Sequence, residues 1–126
     1  MIVSQSGDAA ILGTWVPTWT GFSDNPTSVS ATYIRIGKFC HVTLNGTAGT
    51  SNATTLTVTL PFTSKYTRPA NSIGQGVDNG ASAAAPARGD LAAASNVLTC
   101  FKDQAGTAWT GTGNKLLRLN LCYEAE

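Results

Sequence analysis

Alternation of apolar and polar residues is the feature that most limits what this 126-residue chain can fold into. From Cys40 to Ala48, apolar or small residues occupy every second position, and polar residues occupy the positions between them. Because successive side chains of a β-strand point to opposite faces, this spacing predicts a strand with one face in a core. We predict one such strand from Ile34 to Ala48.

A second alternation, from Thr54 to Leu60, places leucine and valine on one face and threonine on the other. A turn-forming stretch at 49–52 separates it from the first strand, so we predict that the two strands pair as an antiparallel hairpin. Pro61 lacks an N–H group and therefore ends the second strand.

Helical spacing is nearly absent from the rest of the chain, whereas alternation returns several times. Short strands separated by Gly, Asn and Ser turns predict an all-β sandwich or barrel. The remaining predicted elements are a short strand at 72–77, a loop or poorly packed strand at 79–87, a strand at 96–102, a turn at 103–106 and a closing strand at 117–123.

Charge and composition argue against several classes of function. Eight basic residues balance seven acidic ones, and a net charge of +1 is too small for the basic surface that nucleic-acid binding needs. No apolar run reaches the ~20 residues of a membrane-spanning helix, and the first residues lack the pattern of a signal peptide. We expect a soluble protein with neither nucleic acid nor membrane as a partner.

The cysteines and the acidic residues do not form a recognisable catalytic or metal-binding set. Three cysteines cannot all pair within one chain, and none has the C-x-x-C spacing of a zinc or redox site, so we expect free thiols. His41 is the single histidine, and it has no base or nucleophile beside it on its predicted strand. The acids lie mostly in turns or at the chain ends. We predict no enzymatic activity, no metal and no cofactor.

Three aromatic residues, Trp15, Trp19 and Phe22, lie close together near the N-terminus. Aromatic rings beside polar groups can form a platform on which a sugar stacks. They can instead plug one end of the β-structure or a subunit interface, and this second interpretation is the one we favour.

Five short motifs carry a resemblance to a known family. They are Gly-Thr-Trp-x-Pro-Thr-Trp at 13–19, Tyr-x-x-Ile-Gly at 33–37, Leu-Pro-Phe at 60–62, Gly-Thr-Gly at 111–113 and Tyr-Glu at 123–124. In this order the chain resembles the C-terminal β-sandwich domain of tailed-bacteriophage tail fibres and other receptor-binding virion proteins.

The resemblance implies a jelly-roll-like antiparallel β-sandwich at residues 13–126 that assembles as a homotrimer, preceded by an N-terminal anchor or extended segment at residues 1–12. It implies a virion protein, made in the host cytoplasm, that forms a tail-fibre tip and attaches to a bacterial surface glycan. Its partners would be further copies of itself, other virion proteins and a bacterial polysaccharide. Two alternatives stay open: a structural virion component, such as a capsid decoration or fibre-capping and trimerisation protein, and a monomeric lectin or lysin module.

A bound glycan would need hydrogen bonds from polar loops and stacking on one aromatic ring. We expect Trp109 to supply the ring, because its Gly- and Thr-rich surroundings predict a turn in which an indole is exposed. The hydrogen bonds are expected from Asp78, Asn79, Arg88 and Asp90 in a long middle loop, and from Asp103 in the last hairpin.

Overall fold

The protein is all-β in the computed structural model, which describes residues 9–126. This confirms the fold class predicted from the alternation, and the described range contains no helix that could cross a membrane. The strands, in chain order, are β1 (Ala10–Thr14), β2 (Trp19–Thr20), β3 (Phe22–Asp24), β4 (Thr27–Ile36), β5 (Phe39–Thr47), β6 (Gly49–Ser51), β7 (Leu56–Thr59), β8 (Arg68–Asp78), β9 (Ala81–Ser82), β10 (Ala87–Leu91), β11 (Val97–Phe101) and β12 (Asn114–Glu124).

The strands form one continuous antiparallel sheet that curls into a half-barrel, in the order β1-β4-β5-β12-β8-β10-β11-β7-β2. Three short strands lie off this path: β3 pairs with β6, β6 also pairs with β12, and β9 pairs with β8. The division into two stacked sheets and the assembly of three chains stay predictions.

The inner face of the half-barrel carries the hydrophobic core. The long strands β5 and β12 lie side by side, and the buried residues of one face those of the other directly across the ladder. Full burial of one valine or leucine side chain stabilises the fold by about 1.5–3 kcal/mol. The opposed core pairs are Cys40 with Tyr123, Val42 with Leu121, and Leu44 with Leu119.

The strand predicted from Ile34 to Ala48 is wrong in its extent, because a turn divides it. Ile36 ends β4 and lies opposite Phe39, the first residue of β5, so the two strands form a hairpin with a two-residue turn. Gly37 has a φ of 56°, the left-handed conformation that such tight turns require and that glycine adopts without strain.

The predicted pairing of β5 with β7 is also wrong. After β5 the chain forms β6, which pairs with β12 and β3, whereas β7 pairs with β11 and β2. Gly49 makes this crossing possible, because a side chain there would collide with the carbonyl oxygen of Asp24. The inward face of β7 was predicted correctly, since Leu56 and Val58 are fully buried.

The segment between β1 and β2 joins the two ends of the sheet path. The backbone N–H of Trp15 donates to the Ala31 carbonyl of β4 over 3.2 Å, and its indole Nε1 donates to the Thr59 carbonyl of β7 over 2.8 Å. The buried ring of Trp19 meets Phe22 edge to face, with 5.6 Å between centroids. These aromatic residues pack on the core, which supports the plug over a sugar platform.

The predicted boundary between residues 12 and 13 falls inside β1, which pairs along its whole length with β4. Residues 1–8, which make up most of the predicted N-terminal anchor, lie outside the described residues.

Two valines on neighbouring strands test how much the core contributes to stability. Val58 is fully buried on β7, whereas Val97, at the start of β11, is 41% exposed. We expect Val58→Ala to lower the free energy of unfolding by about 2 kcal/mol and Val97→Ala to lower it by less than about 1 kcal/mol. Urea denaturation measures both, and equal losses would show that the inner face is not the stabilising core.

Candidate functional site

Trp109 is a core residue, and the exposure expected from the sequence is wrong. The residue is only 1% exposed, and its indole Nε1 donates to the Cys100 carbonyl oxygen over 2.8 Å. Its backbone N–H donates to the Thr54 carbonyl oxygen over 3.0 Å. Gly76 leaves space for the ring, because a β-carbon there would lie 2.8 Å from the indole Cη2. Trp109 therefore cannot offer a ring face to a sugar.

Lys115 lies beside Trp109 and is fully buried. Its ammonium group donates to the carbonyl oxygens of Ala53 over 2.8 Å and Gly21 over 3.3 Å, and lies 5.7 Å from the centre of the Trp109 ring. Burial lowers the pKa of Lys115, and the negative charge of Asp78 opposes this shift. The lysine thus connects two loops to the core and is closed to an external ligand.

The carboxylate of Asp78, at the end of β8, is bound inside the protein. It accepts hydrogen bonds from the Lys102 ammonium group at 2.9 Å, the Thr110 hydroxyl at 2.9 Å and the Thr110 backbone N–H at 3.1 Å. Burial tends to raise the pKa of Asp78, but these hydrogen bonds and the charge of Lys102 lower it overall. Asp78 is therefore an internal anchor for the chain around Thr110.

Asn79 follows Asp78 directly in the chain, and Asp103 lies near Asp78 in space. Asn79 is exposed in the turn between β8 and β9. Asp78 and Asp103 line a groove of about 400 Å³ whose other wall is the alanine-rich stretch 81–85. Asp103 accepts a hydrogen bond from the Thr107 backbone N–H over 3.0 Å, which lowers its pKa and closes the turn.

Arg88 and Asp90 do not lie in a loop, which corrects the prediction of a long middle loop. Both belong to β10, where the guanidinium group pairs with the carboxylate through two contacts of 3.1 Å. Hydrogen bonding from Arg88 lowers the pKa of Asp90, which also accepts the Ala70 backbone N–H over 2.7 Å. The turn that carries Asp103 reaches this strand through Gln104, whose side-chain amide donates to the Ala87 carbonyl over 3.1 Å.

Exposed apolar side chains form a surface that the sequence reasoning missed. Leu12 of β1 lies opposite Ile34 of β4, with 73% and 39% of their surfaces exposed, and Ile36 follows on the same face at 44%. We call these three residues the apolar stripe. Among the described strands, β1 is an end of the sheet path and pairs on one side alone. The sequence does indicate this surface, because Ile34 and Ile36 lie on one face of the strand while Tyr33 lies on the other.

The histidine and the cysteines have the environments that their strand positions predict. The His41 ring shares a hydrogen bond of 2.6 Å with the Asn120 side chain on the outer face. Cys40 and Cys100 are buried, Cys122 is exposed, and all three are free thiols. Within residues 9–126, no three His, Cys, Asp or Glu side chains lie close enough together to hold a metal ion.

Removal of the Trp109 ring should destabilise the fold. Trp109→Ala leaves a cavity and removes the hydrogen bond to the Cys100 carbonyl, so we expect the free energy of unfolding to fall by about 3–5 kcal/mol. Trp109→Phe keeps a ring in the cavity and should cost less. Urea denaturation measures both changes, and a Trp109→Ala protein as stable as the wild type would contradict the core role.

The Asp78 ion pair should make stability depend on pH. Because the folded state lowers the pKa of Asp78, its stabilising effect is complete above the ordinary value of about 3.9 and is lost as pH falls through the folded value. We expect Asp78→Asn to cost about 1–3 kcal/mol at pH 7 and much less near pH 2. Denaturation at both pH values tests this, and an equal cost at both would show that the charge is unimportant.

The chain was compared with known proteins by sequence and by structure. No family model matches it, and no curated protein or solved structure is similar to it.

Proposed function

We propose that this chain is a bacteriophage virion protein, the β-sandwich tip of a tail fibre, which assembles as a homotrimer and attaches to a bacterial surface glycan. The order of the five sequence motifs supports the virion assignment. The antiparallel all-β architecture is the one that this resemblance implies.

The apolar stripe is the observation that carries the proposal. Leu12, Ile34 and Ile36 form contiguous apolar surface beside the edge of β1 that is unpaired among the described strands, and such surface commonly marks an interface. A neighbouring copy of the chain would cover this surface, at a gain of roughly 25 cal/mol per Å² of apolar area removed from water. In a closed ring of three copies, each stripe contacts the next subunit and none is left in water.

Assembly into a trimer also explains how a shallow glycan-binding site can attach the virion to a cell. Three copies on one fibre, and several fibres on one virion, raise the effective concentration of each site once the first has bound. A weak affinity for one sugar unit therefore suffices for attachment.

A structural virion component is the second candidate, and one observation favours it. The carboxylates of Asp78 and Asp90 and the guanidinium of Arg88 are hydrogen bonded within the protein. A cap or decoration protein needs the apolar stripe and no glycan site, so the internal bonding of these three groups favours this role.

Charge in the apolar stripe should separate the copies. The wild type is expected to have three times the 13.0 kDa mass of one chain, and Leu12→Asp combined with Ile34→Asp should reduce this to a single chain. Val97→Asp, which places the same charge at an exposed apolar position outside the stripe, should leave the trimer intact. Light scattering after size-exclusion chromatography measures the mass, and a monomeric wild type would refute trimer assembly.

Attachment is tested with bacteria that carry defined defects in their envelope glycans. The purified protein, detected with an antibody, should bind intact cells and lose binding to one class of glycan mutant. Binding to no strain, by a protein that still forms trimers, would exclude attachment and leave the structural role.

A further inference from the structure

A groove of about 360 Å³ lies on the sheet beyond the end of the apolar stripe. It forms where the β4–β5 turn, the first residue of β8 and the last residues of β12 meet, and its volume is near the lower end of the roughly 300–1,000 Å³ of small-molecule sites. The residues that line it are Lys38, Phe39, Arg68, Cys122, Tyr123 and Glu124.

Two cations in this groove form no ion pair with any of the described residues. Six of the eight Lys and Arg side chains of the protein donate a hydrogen bond to a carbonyl, amide or carboxylate oxygen. In the part of the chain that the structure describes, Lys38 and Arg68 are the two whose side chains form no hydrogen bond, ion pair or ring contact, and both line the groove.

Glu124 also lines the groove, and its carboxylate pairs with Lys65 at 3.4 Å and with neither of these cations. The backbones that carry the two cations are fixed. The Lys38 carbonyl accepts the Ala125 backbone N–H over 2.7 Å, and the Arg68 carbonyl accepts the Asn71 side-chain amide over 2.7 Å. The groove therefore presents two positive charges from held positions on the sheet.

Phe39 gives the groove an apolar wall. The residue is 52% exposed and lies opposite Ile36, at the point where the apolar stripe ends. A half-exposed ring beside polar groups suits a ligand with one apolar face and a polar edge, which a pyranose ring has. An inorganic anion would gain little from the ring.

We propose that this groove binds an acidic saccharide, a sugar that carries a carboxylate or a phosphate group. Lys38 and Arg68 hold the anionic group, and the apolar face of the sugar packs on Phe39. The inference rests on the proposed attachment to a bacterial glycan and names the chemical class of that glycan. Binding should weaken as salt is added, because the two cations are exposed and their attraction for an anion is screened.

Nuclear magnetic resonance titration of the full-length assembled protein tests the inference with three probes. Trigalacturonate carries carboxylates, mannose 6-phosphate carries a phosphate, and maltotriose is neutral. At least one acidic probe should shift the backbone signals of Lys38, Phe39 and Arg68 at millimolar concentration or below, and the one that does identifies the anionic group. Equal binding of maltotriose, or no shift with either acidic probe, would overturn the inference.

Lys38→Ala combined with Arg68→Ala should weaken binding of the active probe by about tenfold or more, since two charge-assisted contacts are lost. Arg118→Ala removes an exposed cation outside the groove and should change the affinity by less than about twofold. Unchanged affinity in the double variant would overturn the inference. A lower molar mass of the double variant would also overturn it, because the cations would then serve assembly.

The binding test on bacteria with defined glycan defects distinguishes this inference from the proposed function. If the wild type binds cells and the Lys38→Ala and Arg68→Ala double variant binds them equally well, the groove assignment fails and attachment stands. If the wild type binds no strain but holds an acidic probe in the groove, attachment fails and the groove assignment stands.

Discussion

Trp15 connects the two ends of the curled sheet, and the shape of the protein depends on this connection. Its amide is bonded to β4 near one end of the path and its indole to β7 near the other. Its ring also packs against the core residues of the inner face. The closing contact joins residues distant in sequence, as do most strand pairs here, so we expect slow folding that is limited by the search for non-local partners.

Alternation in the sequence predicted the faces of the strands well and their partners poorly. The inward positions of β5 and β12 follow directly from a period of two, and Cys40, Val42 and Leu44 are buried as expected. The same period cannot tell which strand lies alongside, because any antiparallel neighbour with the same alternation satisfies it. The β4–β5 turn was missed because Gly37 interrupts a run of strand-forming residues that otherwise reads as continuous.

The candidate site was predicted in part. Asp78 and Asp103 line the same groove, since both flank turns. Trp109 was misjudged because its neighbours in sequence are small and polar, whereas the space that receives the indole is created by Gly76 on another strand. Lys38 and Arg68 are brought together by strand order alone, through the placement of β12 between β5 and β8. No local pattern could have linked them.

The three thiols differ in access, and the difference gives this protein a natural point for chemical conjugation. Burial raises the pKa of Cys40 and Cys100, so both stay protonated and unreactive in the folded state. Cys122 is the exposed thiol and lies on the wall of the groove with Phe39. A maleimide dye added to the native protein would therefore modify one position per chain. Its emission would report on whatever enters that groove, without any engineered residue.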